Sequence, residues 1–184
     1  SEMDKSERII ILLDECRRMG LPVLPPDVNE SDLDFAVRDD RIRFGLLAVK
    51  NVGTQAIQAF LDAREEGGRF DSISDFCARV DLTSLNKRMV ESLVQAGAMD
   101  DFGERAQLLA GLDSVIGWAL SEQADKARGQ VSLFSESSTD SSLPKPELPR
   151  EPPMSSKDRL AHERELLGFY VSGPPLGHYP RDLE

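Results

Sequence analysis

The chain has 184 residues, of which 40% are hydrophobic and 30% charged, with a formal net charge of −11. That length holds one modest globular core with appendages and is too short for a large multidomain enzyme. The acidic excess excludes a protein that grips a polyanion through an overall basic surface, and no apolar run is long enough to cross a bilayer.

The opening Ser-Glu-Met-Asp-Lys is acidic, and the short apolar run behind it is interrupted at Asp14, so it does not read as a secretory leader and a cytoplasmic setting is expected. Ile9, Leu12, Leu13, Cys16 and Met19 recur at helical spacing, Arg17 and Arg18 stand near the end, and Gly20 takes the usual left-handed cap position. Pro22, Pro25 and Pro26 then hold the chain extended. Phe35, Val37, Ile42 and Phe44 alternate on either side of a polar turn at residues 38–41, which predicts a short β-hairpin.

From Leu46 the pattern turns helical, breaks at Asn51-Val52-Gly53, and resumes from Thr54 to about Glu66 before Gly67-Gly68. Ser72 with Asp75 three residues on resembles a capping box for a helix through Val80. Asn86 can cap another helix, buried through Met89, Val90, Leu93 and Val94 and closed by Gly97. A longer helix is expected from about Arg105 through Lys126, with Leu108, Leu109, Leu112, Val115, Ile116 and Ala119 inward and Trp118 near one edge.

After Gly129 the composition shifts to Ser, Thr, Asp and Glu and then to closely spaced prolines, which reads as a linker. Helical spacing returns between Lys157 and Leu167, followed by an approach to a further domain. The expected fold class is therefore mainly α. A helical domain over residues 1–128 carries a short β-hairpin and a helix-hairpin-helix at about 46–66, residues 129–156 form a flexible linker, and residues 157–184 form a C-terminal helix with its lead-out.

Two segments can carry binding. Lys50, Asn51, Val52, Gly53 and Thr54 form a turn between two helical stretches that resembles a helix-hairpin-helix. Such a turn presents backbone N–H groups at a helix N-terminus, where orphan donors and the helix dipole favour a phosphate oxygen. Gly53 would allow close approach of a nucleic-acid backbone, and Lys50 would add a point charge. Asn51 occupies the place of that motif's usual first glycine, and Ile57 the place of its usual small residue.

The second segment is Gln130-Val-Ser-Leu-Phe134 at the start of the linker. Leu133 and Phe134 have no obvious core to join there, and exposed apolar residues on a flexible segment often anchor in a partner's pocket, with Gln130 hydrogen-bonding at its rim. The bland alternative is that they cap the preceding helices.

Catalysis by this chain is not expected. Asp32 with Asp34, and Asp100 with Asp101, read as solvated turns rather than metal ligands, and His162 and His178 lack a nearby nucleophile. Cys16 and Cys77 have no metal-ligand spacing and read as reduced thiols; no cofactor is expected.

The blocks Glu15-Cys-Arg-Arg-Met-Gly20, Leu24-Pro-Pro-Asp-Val-Asn-Glu-Ser31, Ile42-Arg-Phe-Gly-Leu46, Lys50-Asn-Val-Gly53, Phe70-Asp-Ser-Ile-Ser-Asp-Phe76, Asn86-Lys-Arg88, Ala96-Gly-Ala98 and Leu167-Gly-Phe-Tyr170 run in one order across nearly the whole chain. Together they resemble the alpha subunits of bacterial DNA polymerase III, the C-family replicative DNA polymerases.

The resemblance implies a region behind the fingers. Its helix-hairpin-helix would touch duplex DNA without reading sequence, through Lys50, Asn51, Val52, Gly53 and Thr54. Its internal peptide, here Gln130, Ser132, Leu133 and Phe134, would bind the sliding clamp, the polymerase III beta subunit. The other partners implied are the rest of the polymerase III holoenzyme. The family's nucleotidyltransferase site lies in a palm domain outside these residues, and Pro174 stands where the family more often has histidine. A different reading keeps the chain as a structural or protein-interaction module whose hairpin never meets DNA.

Overall fold

The computed structural model describes residues 2–129, 144–168 and 171. Helix α1, Glu2–Arg18, ends as its cap residue predicts: Gly20 has φ +80°, its N–H donates to the Arg17 carbonyl at 3.0 Å, and the Leu21 N–H donates to the Cys16 carbonyl at 2.9 Å. The buried face of α1 differs from the expected stripe. Leu13 is buried and Ile9, Ile10 and Cys16 are half-buried, whereas Leu12 is 63% and Met19 70% exposed. The helix touches the rest of the domain along one narrow line, too narrow to cover a stripe of five residues.

The expected hairpin forms and gains a third strand. Strands β2, Ala36–Arg38, and β3, Arg41–Arg43, pair antiparallel with Val37 opposite Ile42, and β1, Val23–Leu24, pairs parallel to the other side of β3. Asp39 and Asp40 both have positive φ, 51° and 56°, the two-residue turn whose twist matches that of paired strands. Phe35 and Phe44 meet edge to face with centroids 4.7 Å apart. Val37, on the outer strand β2, is 71% exposed although its partner Ile42 on the central strand is buried.

The helix expected from Leu46 is only a single 3-10 turn, Leu46–Ala48. The backbone explains why. The Leu46 and Leu47 N–H groups donate to the carbonyls of Asp32 and Leu33, and Gly45 is pressed so closely on Asp34 and Phe35 that a Cβ there would lie 2.5 Å from the Asp34 carbonyl carbon. Those first donors would be free in a helix as well; what ends the turn is that the Lys50 N–H, the first able to make an i→i−4 bond to Leu46, donates instead to the Leu166 carbonyl at 2.9 Å, while the Val49 N–H closes back on Leu46 at 3.1 Å.

Helix α2 runs Thr54–Gly67, α3 Ile73–Arg79, α4 Lys87–Gln95 and α5 Arg105–Gly129. Two caps form as expected, with Ser72 Oγ accepting from the Asp75 N–H at 3.1 Å and Asn86 Oδ1 from the Met89 N–H at 3.0 Å. Phe60 of α2, Phe70 before α3 and Phe76 within it form the aromatic centre of the core, and Leu108, Leu112, Val115 and Ala119 of α5 close it from the other side. Gln123 of α5 ties in the end of α3, its amide donating to the carbonyls of Cys77 at 2.9 Å and Val80 at 2.7 Å. Burial pushes the Cys77 thiol up to about 12, as an inert core thiol.

Residues 144–155, expected as linker, run extended along α5. Leu148 and Pro149 lie over Gly111, where a Cβ would come within 2.7 Å of Leu148 Cδ2, and the Met154 N–H donates to Glu104 at 2.9 Å. Helix α6, Ser156–Leu167, then packs beside α4, is capped by Ser155 and Gly168, and places Leu166 and Leu167 in the common core. A buried ion pair fastens it: Arg105, 1% exposed, meets Glu163, 0% exposed, at 3.3 Å. Asp100 engages the same guanidinium at 2.8 and 2.9 Å. Asp100 stands exposed in a short turn, as expected, and in addition holds this guanidinium. Burial opposes the Arg105 charge, but the hydrogen bond and Coulombic pull of Asp100, with Glu163, outweigh it and raise the Arg105 pKa.

Candidate functional site

The hairpin turn lies between the 3-10 turn and α2. Val49 and Val52 are buried and anchor it on both sides, while Lys50, Asn51, Gly53 and Thr54 are exposed. Of the five residues expected to form the site, four present themselves to solvent, and Val52 contributes only its backbone, its side chain being part of the core.

Asn51 has φ +68°, the left-handed region in which a β-carbon is strained. This accounts for a glycine being usual at that position, and asparagine is the side chain that tolerates the conformation best after glycine. The departure at Asn51 therefore preserves the turn. Ile57 is fully buried and serves as a core residue of α2.

Gly53 presents the opposite case. Its φ of −78° and ψ of 154° suit any residue, and a Cβ would meet nothing closer than the Met89 terminal methyl at 3.9 Å. Neither backbone strain nor packing within the protein calls for glycine there. As the N-cap of α2, Gly53 offers no side chain to the first-turn N–H groups. The result is a bare, exposed helix N-terminus whose dipole is positive outward, with the exposed Lys50 and Thr54 on its rim. The Lys50 N–H is already used, donating to the Leu166 carbonyl at 2.9 Å.

The Met89 terminal methyl, 3.9 Å from where a Gly53 Cβ would stand, brings α4 near this N-terminus, a proximity the sequence did not indicate; the exposed Lys87 and Arg88 begin that helix. Lys87 is turned to Asp113 at 2.8 Å and Glu91 at 3.7 Å, which raises its pKa through the Asp113 hydrogen bond. The signal was present in the order Asn-Lys-Arg at a helix start, but nothing in the sequence joined that start to residue 53.

Gln130, Ser132, Leu133 and Phe134 lie outside the described residues. Gly129, the last residue of α5, precedes them, and the docked stretch from Pro144 follows. Among the described residues no group of three or more His, Cys, Asp and Glu is arranged to hold a metal ion, and no helix is long and apolar enough to cross a membrane.

Residues 20–108 match the family model described as a helix-hairpin-helix motif, a span that runs from the end of α1 into α5. The chain is 44% identical over 179 residues to the DNA polymerase III subunit alpha of Thermus aquaticus, covering 97% of this chain and 14% of that protein. It is 40% identical over 185 residues to the subunit alpha of Vibrio cholerae and 37% identical over 186 residues to that of Escherichia coli K12, in each case covering 100% of this chain and 16% of the relative. Residues 20–108 thus form a helix-hairpin-helix domain, and the chain as a whole is homologous to one segment, about a sixth in length, of DNA polymerase III alpha subunits.

Proposed function

We propose that this chain is the duplex-holding and clamp-tethering segment of a replicative DNA polymerase. The observation that carries the first half is Gly53, a glycine that the fold does not need, at an uncapped and exposed helix N-terminus in a helix-hairpin-helix turn. A phosphate oxygen is the ligand such a terminus suits: a small anion that accepts from successive N–H groups and is drawn by the dipole. Lys50, Asn51, Gly53 and Thr54 would hold the product duplex by its backbone, with the backbone of Val52 between them. Contacts of this kind position DNA without reading its sequence.

The second half rests on Gln130-Val-Ser-Leu-Phe134 and its place in the chain. In sequence, the peptide stands between the end of α5 and the docked stretch that begins at Pro144, the strap along α5. Gln130, Ser132, Leu133 and Phe134 would enter a cleft on the sliding clamp. Joining a weak clamp contact to a weak duplex contact raises the effective concentration of each and so favours processive synthesis. The remaining holoenzyme subunits, the cytoplasmic setting and the parent nucleotidyltransferase activity follow from the same reading. No step of the phosphoryl transfer is assigned to residues of this chain.

Two measurements test it. Duplex binding followed by anisotropy at low and physiological salt should fall with a log–log slope of about −0.9 per contacted phosphate; salt-independent binding, or none, counts against the duplex role and favours a purely structural module. For the clamp, the paired substitution Leu133→Ala/Phe134→Ala should abolish binding that the unsubstituted chain shows. Equal binding by both removes the role of that peptide.

A further inference from the structure

The residues matched by the helix-hairpin-helix family end at 108, yet the hairpin turn is held by a residue far beyond them. The Lys50 N–H donates to the carbonyl of Leu166, in the last turn of α6, at 2.9 Å. That turn of α6 cannot drift independently. Glu163, one turn earlier, is fully buried on Arg105, and its second oxygen accepts from the Val171 N–H at 3.0 Å. The start of α6 is held too, with Glu104 accepting from Met154 and pairing with Arg159 at 3.6 Å. Gly97, at φ +89°, brings its backbone so close that a Cβ would lie 2.4 Å from the Arg105 guanidinium, so the receptor for Glu163 is itself rigidly seated.

We infer that α6 is a positioning element of the duplex-binding hairpin, locked by the Arg105–Glu163 pair and acting on the turn through the Leu166 carbonyl and Lys50 N–H bond. The inference rests on the duplex-binding reading and deepens it. If α6 loosens, the Lys50 N–H loses its acceptor and the turn is free to leave the one conformation that presents the N-terminus of α2. The coupling is reciprocal, as any equilibrium linkage must be: duplex bound at the turn stabilises the docking of α6.

The test uses the full 184-residue chain, with amide hydrogen exchange at Lys50 and affinity for a short duplex measured side by side. Glu163→Gln should speed exchange at Lys50 and weaken duplex binding about fivefold or more. Glu104→Ala, which frees the lead-in and the first turn of α6 but leaves Glu163 in place, should do both to a lesser degree and serves if Glu163→Gln unfolds. Gln123→Ala is the control. It unpairs the carbonyls at the end of α3, lowering overall stability without touching α6, and should leave Lys50 protected and duplex affinity unchanged. Unchanged Lys50 exchange and affinity in both α6 variants, or an equal loss of affinity in Gln123→Ala, would overturn the inference while leaving the duplex reading standing. Failure of the unsubstituted chain to bind duplex would overturn both.

Discussion

The two residues that frame the hairpin, Asn51 and Gly53, occupy the positions of two motif glycines for different physical reasons. At Asn51 the reason is conformational, since φ is +68° and a β-branched side chain would be strained there. Asn51→Gly should therefore be at least as stable as the parent, whereas Asn51→Val should lose about 1–2 kcal/mol in denaturant unfolding. At Gly53 the protein itself imposes no requirement.

Asp27 supplies a titration test at the same scale. Burial, ahead of the opposing hydrogen bond from the Asn29 N–H, raises its pKa above the ordinary carboxylate value. A carboxyl group whose folded pKa is raised favours the fold when protonated; that contribution is complete below the unfolded pKa and is lost as pH rises through the folded one. Asp27→Asn, neutral at every pH and still able to accept from Asn29, should be more stable than the parent at neutral pH. The difference should close below about pH 4, where the parent is protonated. A gap that stays constant with pH would show that Asp27 does not titrate in this way.

At the scale of elements, what the sequence made legible was local. The Ser72 and Asn86 caps, the Gly20 terminator, the period of α5 and the hairpin around Asp39-Asp40 each involve residues a few positions apart, and each forms as its chemistry requires. What was not legible depends on partners far away in sequence. The helix expected at Leu46 yields to a 3-10 turn because the Lys50 N–H, its first i→i−4 donor, is taken by Leu166. The inner face of α1 is decided by how little covers it. The pairing of Arg105 with Glu163, 58 positions apart, leaves no periodic trace.

The docked stretch 144–155 belongs to the same class, because prolines and small polar residues describe a linker equally well whether or not a groove receives it. Gly111 makes that groove. Gly111→Val should displace Leu148 and Pro149, so that tryptic cleavage after Arg150 accelerates while helical circular dichroism is retained. Unaltered cleavage would mean that the strap is held by its other contacts alone.

For the whole molecule, a net charge of −11 and a nucleic-acid role are compatible only if the contact is small and local. Among the described residues, the bare N-terminus of α2 is such a place, with Lys50 and Thr54 exposed on its rim. Helix α6 joins this place to the far end of the chain, so the hairpin, the core and the strap behave as one body.

The most direct test of that account is Gly53→Ser, measured at once for stability and for duplex affinity. The backbone at residue 53 already has N-cap geometry and room for a side chain, so serine should cap α2 and stabilise the fold by a few tenths of a kcal/mol. By satisfying and covering the N–H groups that a phosphate would use, it should weaken duplex binding about tenfold. A protein that is more stable and binds DNA less tightly is the predicted result; a more stable protein with undiminished affinity would place the duplex contact elsewhere and contradict the central claim.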